Sequence, residues 1–243
     1  VMMIAEDSTD FQGVTKPIEF GGLGFDYKWD LGWMNDTLKY YAKDPIYKKW
    51  EQNKLTFSMA YFYSENFLLP LSHDEVVHGK GTLINKMFGD YDTKFALLRN
   101  LYAYQFGHPG KKLNFMGNEL ASFDEWNENR SLPWNLLSFP KHDSVRRECR
   151  DLNLIYQAED AMKVEEHNPA HFQWMMVDNS DQSVFAFERE VGESDLLFVY
   201  NMTPNYYESY DVGCAHKGLY EEIFNSDKDI YGGWNQYNGL PSE

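Results

Sequence analysis

The chain of 243 residues carries 38 acidic side chains against 22 lysines and arginines, a formal charge of −16, and 43% of its residues are hydrophobic. That apolar content supports a sizeable core in one large or two smaller domains and excludes a disordered chain. The acidic balance offers no basic stripe to release counterions, which excludes nucleic acid as a partner, and no run approaches the roughly 20 apolar residues of a membrane span.

Val1 to Ala5 is a continuous apolar run, the pattern of a strand buried on both faces, with acids at its carboxyl end. "VMMIAED" reads as the interior of a longer protein, and "QYNGLPSE" closes nothing, so the chain is expected to be a fragment. Gly21 to Trp29 predicts a second strand after a glycine-rich loop, and Met34 to Tyr41 and Lys54 to Tyr63 predict helices. Phe67 to Leu71 is a third apolar strand that runs into "SHDEVVHGK".

Between Gly89 and Lys112, apolar Phe95, Leu98, Leu101, Tyr102 and Phe106 recur at helical spacing. An aspartate at 90 or 92 can cap that helix, and Gly107 with Pro109 ends it. "KLNFMGNE" predicts a fourth strand leading to Asn118 and Glu119, and a last helix spans Ser144 to Gln157. Strand, acid-bearing loop, helix, strand: this recurrence is that of parallel βα units with chemistry at the strands' carboxyl ends, about half of an eight-stranded barrel.

From about His167, "HFQWMMV", "SVFAFERE", "DLLFVYNM", "YYESYDVG" and "GLYEEIF" are short β-rich runs separated by turn residues. The fold class is thus α/β: the C-terminal half of a (β/α)8 barrel over residues 1–166, then an incomplete antiparallel β-sandwich over 167–243. Cys149 and Cys214, far apart and without C-x-x-C spacing, indicate no disulfide framework and fit a cytoplasmic protein.

"HDEVVH" could be a metal site, a catalytic acid cluster or a solvated loop. A zincin needs histidines four apart on one helical face, whereas His73 and His78 are five apart at the end of a strand. No metal or cofactor is therefore expected, and no carboxylate cluster has calcium-loop spacing. Glycoside chemistry needs two carboxyl groups flanking a scissile bond, and Glu6, Asp74 and Glu119 follow three strands that a barrel aims into one cleft. Spacing alone does not assign their roles. Six tryptophans, Trp29, Trp33, Trp50, Trp126, Trp134 and Trp234, sit among polar neighbours, where aromatic faces can stack on sugar rings, although any single one is more often core filler.

"IAEDST" (4–9), "FDYKWDLGWMNDTL" (25–38), "LPLSHDEVVHGK" (69–80), "LYAYQFGHPGKKLNFMGNE" (101–119) and "EWN" (125–127), in this order, closely resemble the bacterial-type 1,4-α-glucan (glycogen) branching enzymes of the α-amylase family. The resemblance covers essentially the whole chain. It implies a retaining transglycosylase that cuts an α-1,4 link and passes the chain to a 6-hydroxyl, forming an α-1,6 branch. By position in the motifs, Glu6 would be the general acid/base and Asp74 the transition-state stabiliser. His73, Trp29, Trp33, Glu119 and Trp126 would bind substrate.

Glu6 then needs apolar surroundings or another carboxylate to hold its proton, whereas Asp74 must stay ionised, helped by His73. The family's nucleophilic aspartate lies on a strand before "VMMIAED", in a segment resembling D-G-F-R-x-D that does not occur in this chain, so the chain alone is expected to be inactive and to fold poorly. Its partner would be an α-glucan, and it would be a monomer. The alternatives are an α-amylase-type hydrolase, whose group usually shows Asn-His-Asp in place of Ser72, His73 and Asp74, and a catalytically inactive glucan-binding protein. The individual roles of His78 and Lys80 are not assigned.

Overall fold

The computed structural model describes residues 1–77 and 79–239. Four parallel strands, β1 (Ile4–Ala5), β2 (Tyr27–Trp29), β3 (Phe67–Leu71) and β4 (Lys111–Asn114), lie in chain order. Ala5 pairs with Lys28, Lys28 with Phe67, and Leu68 with Lys111. β3, an unbroken apolar run, is buried along its whole length, as expected of an interior strand.

β1 departs from its expected double burial. It forms one edge of the sheet, and Met2, Met3 and Ile4 are 65%, 52% and 43% exposed because β2 is its sole pairing partner among the described residues. β2 is also shorter than predicted: Gly21 to Asp26 form a turn and loop, in which Gly21 adopts φ +84°.

Helix α1 (Leu31–Tyr41) starts one residue after β2, because the Asp30 carboxylate accepts the Trp33 amide at 2.8 Å. The helix expected over Lys54–Tyr63 is instead a short α2 (Asn53–Thr56) followed by two 3-10 turns, Phe57–Ala60 and Phe62–Ser64. Its crowded aromatic residues favour an α-helix poorly, and Phe62 packs between Phe67, His108 and His167 instead. After β3, α3 (Leu83–Lys86) leads to the long α4 (Tyr91–Gly107), capped by Asp90. Gln105 of α4 donates to Leu69 O and Leu113 O, tying the helix to β3 and β4. Helices α5 (Pro140–Ala158) and α6 (Asp160–Lys163) follow β4.

Strands β5 (Phe172–Met176), β6 (Val184–Val191) and β7 (Ser194–Asn201) make an antiparallel sheet in chain order. The last two runs expected to be strands, "YYESYDVG" and "GLYEEIF", carry no strand; Tyr220 makes one isolated bridge, and side chains such as Glu188, which accepts the Ala215 amide at 2.8 Å, hold the segment.

This sheet packs on α4. Tyr200 Oη donates to Ala103 O at 3.2 Å, and a Cβ on Gly107 would lie 2.0 Å from Tyr200 Oη and 2.7 Å from the Phe198 ring. Gly107→Ala is therefore expected to cost roughly 1–3 kcal/mol by overpacking, read as a lowered urea midpoint; an unchanged midpoint would mean the sheet slides freely on α4.

A buried charge cluster closes the same seam. Glu166, 4% exposed, meets Lys111 Nζ at 2.7 Å, Lys112 Nζ at 3.5 Å and Arg189 at 3.7 Å, and accepts from Tyr156 Oη at 2.9 Å. Lys48, fully buried, donates from α1's following turn to Met202 O at 2.9 Å.

Candidate active site

Because all four strands run parallel, Glu6, Asp30, His73–Asp74 and Asn118–Glu119 emerge at one end of the sheet. Glu6, directly after β1, is exposed and borders a cleft of about 490 Å³ whose walls include Ile4, Ala5, Val14, Leu23 and Phe25. Its neighbour Asp7, the second acid at the carboxyl end of β1, pairs with the buried Lys28 of β2 at 3.0 Å. The Lys28 hydrogen bond, then the Thr9 amide, hold the Asp7 carboxyl below its usual range. Lys28 also donates to Thr9 O, so this cross-strand contact fixes the turn that presents Glu6.

After β3, a one-turn 3-10 helix spans His73–Glu75. Ser72 and Glu75 form a capping box: Ser72 Oγ accepts the Asp74 amide at 3.2 Å, and Glu75 accepts the Ser72 amide at 2.7 Å and its hydroxyl at 2.8 Å. The S-x-x-E spacing of "SHDE" was the available signal for this turn. Glu75 is buried as the anchor, leaving His73 and Asp74 with side chains 48% and 44% exposed and His73 Nε2 3.4 Å from Asp74 Oδ1. His73 rests against Phe115, 5.9 Å between ring centres, and Phe115 meets Trp126 edge-on at 5.2 Å. Trp126 lines a second cavity of about 150 Å³ with Asn118, Met116 and Leu83.

Glu119 lies in a 3-10 turn after β4 and accepts the Gly117 amide at 2.9 Å. Its neighbour Asn118 is the structural member, donating to Leu71 O and Asn114 Oδ1 and so locking the ends of β3 and β4 together. Trp29 is half-buried on β2. Trp33 is a correction: at 1% exposed it stacks on Tyr104 and packs against His108 in the core, because its place in α1's first turn points inward, and it offers no surface to a ligand. The structure thus brings His73, Asp74 and Trp126 into one cluster, while Glu6 stands at the sheet edge with β2 between. His78 lies outside the described residues; Lys80 is exposed.

Asp30 is, with Glu75, a buried acid at this end. It caps α1 and accepts from Tyr61 Oη at 2.8 Å, while Oδ2 has no partner, and burial raises its pKa to about 6. An acid raised from 3.8 makes the folded state the stronger proton binder, so stability falls as pH rises from about 4 to 6 and is level above. Asp30→Asn keeps the cap and leaves an equally unpartnered amide, removing only the charge. The variant is expected to match the parent near pH 4 and exceed it by about 2–3 kcal/mol at pH 8, measured from denaturant midpoints at the two pH values.

No group of three or more histidines, cysteines or acids among the described residues is arranged to hold a metal ion. What the end of the sheet offers is carboxyl chemistry: a solvent-facing glutamic acid beside an apolar wall, and an aspartate paired with an imidazole.

Residues 174–242 match the family model for the alpha amylase C-terminal all-beta domain. The chain is 51% identical over 240 residues to a 1,4-alpha-glucan branching enzyme GlgB of Shewanella sp. (strain MR-7), covering 98% of the chain and 32% of that protein. It is 48% identical to the enzyme of that name from Rhizobium radiobacter, covering 98% and 33%. The chain thus spans about a third of the length of the curated relatives it matches. In three dimensions it is similar to the acarbose-soaked Nostoc punctiforme debranching enzyme, with a TM-score of 0.59 at 15% identity over 83% of this chain and 41% of that one, a likeness of fold.

Proposed function

We propose, from the premise that this chain belongs to the 1,4-α-glucan branching enzymes of the α-amylase family, that it is the later part of an enzyme that cuts α-1,4-glucan and rejoins the freed chain through an α-1,6 bond. The observation that carries this reading is identity near one half over 98% of the chain.

In this reading β1 to β4 are the last four strands of a (β/α)8 barrel, residues 1–166, and residues 167–243 belong to the C-terminal β domain. Glu6 gives its proton to the glycosidic oxygen as the C1–O4 bond breaks, while an aspartate from an earlier strand of the whole enzyme bonds to C1. Glu6, now a base, takes the proton of the incoming 6-hydroxyl as that oxygen displaces the aspartate, so protons balance over the two steps. Asp74 and His73 hold hydroxyls of the sugar at the scissile bond and stabilise its positive character. Trp126, Trp29 and Glu119 bind the glucan around them. The substrate is an α-glucan, and the reading makes the enzyme a cytoplasmic monomer. Among the described residues no helix is long and apolar enough to cross a membrane.

The test is amylose treated with the full-length enzyme, followed by iodine absorbance and by reducing ends. Falling absorbance with few new reducing ends is the expected result. Reducing ends rising in proportion would mark a hydrolase, and no change in either would mark a glucan-binding protein.

A further inference from the structure

We propose that Glu125 is a positioning residue for the catalytic turn after β3: its carboxylate straps the loop that follows His73 and Asp74 to the segment after β4. The proposal rests on the branching-enzyme reading for its activity readout and on geometry alone for the strap.

Beyond the 3-10 turn, Val76 and Val77 are buried, but Gly79 and Lys80 are exposed. Gly79 and Gly81 have φ of +84° and +81°, a conformation that glycine adopts without cost and that nothing in its own side chain can hold. A Cβ on Gly79 would meet no atom within 4 Å, so packing does not fix the loop there either. Hydrogen bonds do. Glu125 accepts the Gly79 amide at Oε2, 2.9 Å, and the Gly81 amide at Oε1, 2.6 Å. One carboxylate thus grips both left-handed positions through charge-assisted bonds.

Two further ties fix the same loop. The backbone amide of Trp126, the next residue, donates to Val76 O at 3.1 Å. From the other side, Lys86 Nζ donates to Glu75 O at 2.6 Å and also reaches Lys80 O. Because Glu75 is the anchor of the capping box that orients Asp74, and the Trp126 ring backs Phe115 beneath His73, a displacement of the strap reaches both sugar-binding side chains.

Geometry at the reacting centre is where small displacements cost rate rather than affinity. Glu125→Gln has the same length but offers one acceptor and turns an N–H pair toward the second glycine amide. In the full-length enzyme we expect turnover to fall about 10–100-fold, with KM within about threefold of the parent's and the midpoint of thermal unfolding within a few degrees. Backbone amide exchange in a peptide covering residues 76–81 should accelerate at the same time. Lys86→Met should produce the same pattern, and the double variant should lose less than the product of the two single losses, since both act through one loop.

Parental turnover in Glu125→Gln, or losses that multiply independently, would overturn the proposal. So would failure of both single variants to fold, which would make the residues structural only. If the parent enzyme itself transfers no glucan, the functional reading fails; the strap is then still judged by amide exchange, and unchanged exchange in Glu125→Gln would sink it.

Discussion

On the proposed function, Glu6→Gln in the full-length enzyme is expected to reduce glucan transfer about 10²–10⁴-fold, the usual worth of a positioned acid/base, while glucan binding stays within about twofold. Glutamine fills the same space and Glu6 is exposed, so the fold loses no buried contact. Only the transferable proton goes. Two controls separate this role from a general loss of shape. A donor with fluoride as leaving group needs little protonation, so its cleavage by the variant should be impaired far less than that of amylose. Azide, which attacks without a base, should capture the glycosyl-enzyme and restore its turnover. Normal transfer by Glu6→Gln, or equal losses with amylose and the fluoride, would remove Glu6 from this role.

The largest loss of stability is expected from Glu166→Ala, about 3–5 kcal/mol, because it strips the counter-charge from cations that are already out of water. Lys112 lies 3.5 Å from the Glu166 carboxylate and Arg189 3.7 Å, with side chains 7% and 2% exposed. Burial pushes Lys112 down to about 7 even with the carboxylate beside it. Without Glu166 the lysine can escape the penalty by shedding its proton, whereas the guanidinium cannot. The deficit relative to the parent should therefore be smaller at pH 9 than at pH 6. Denaturant midpoints of both proteins at the two pH values decide it; a loss below about 1 kcal/mol would mean that water reaches the cluster.

Continuous apolar runs and helical spacing made β3 and α4 legible in the sequence, and the helix's cap was narrowed to the aspartates at 90 and 92, because each is dictated by local chemistry. The same rule misread β1, where burial depends on neighbours that a run of five residues does not specify, and Lys54–Tyr63, where aromatic rings seek separate partners rather than one helical face. At the site, the acids at strand ends followed from the parallel βα pattern, and the capping box was written in "SHDE" without being read. Trp33 shows the limit: polar neighbours in sequence say little about a residue whose orientation is set by the first turn of a helix. The Glu125 contacts span more than 40 residues, and no local pattern could have announced them.

The composition shift near residue 166 marks a change of texture, and the seam beneath it has a consequence for anyone wishing to divide the chain there. A cut would leave the Lys48 amine without the Met202 carbonyl and would separate Arg189 from Glu166. It would also expose the face of α4 around Gly107 on which Tyr200 and Phe198 rest. The point at which the sequence divides most naturally is thus among the worst places to divide the folded molecule, and the two sheets are better handled as a single unit in engineering.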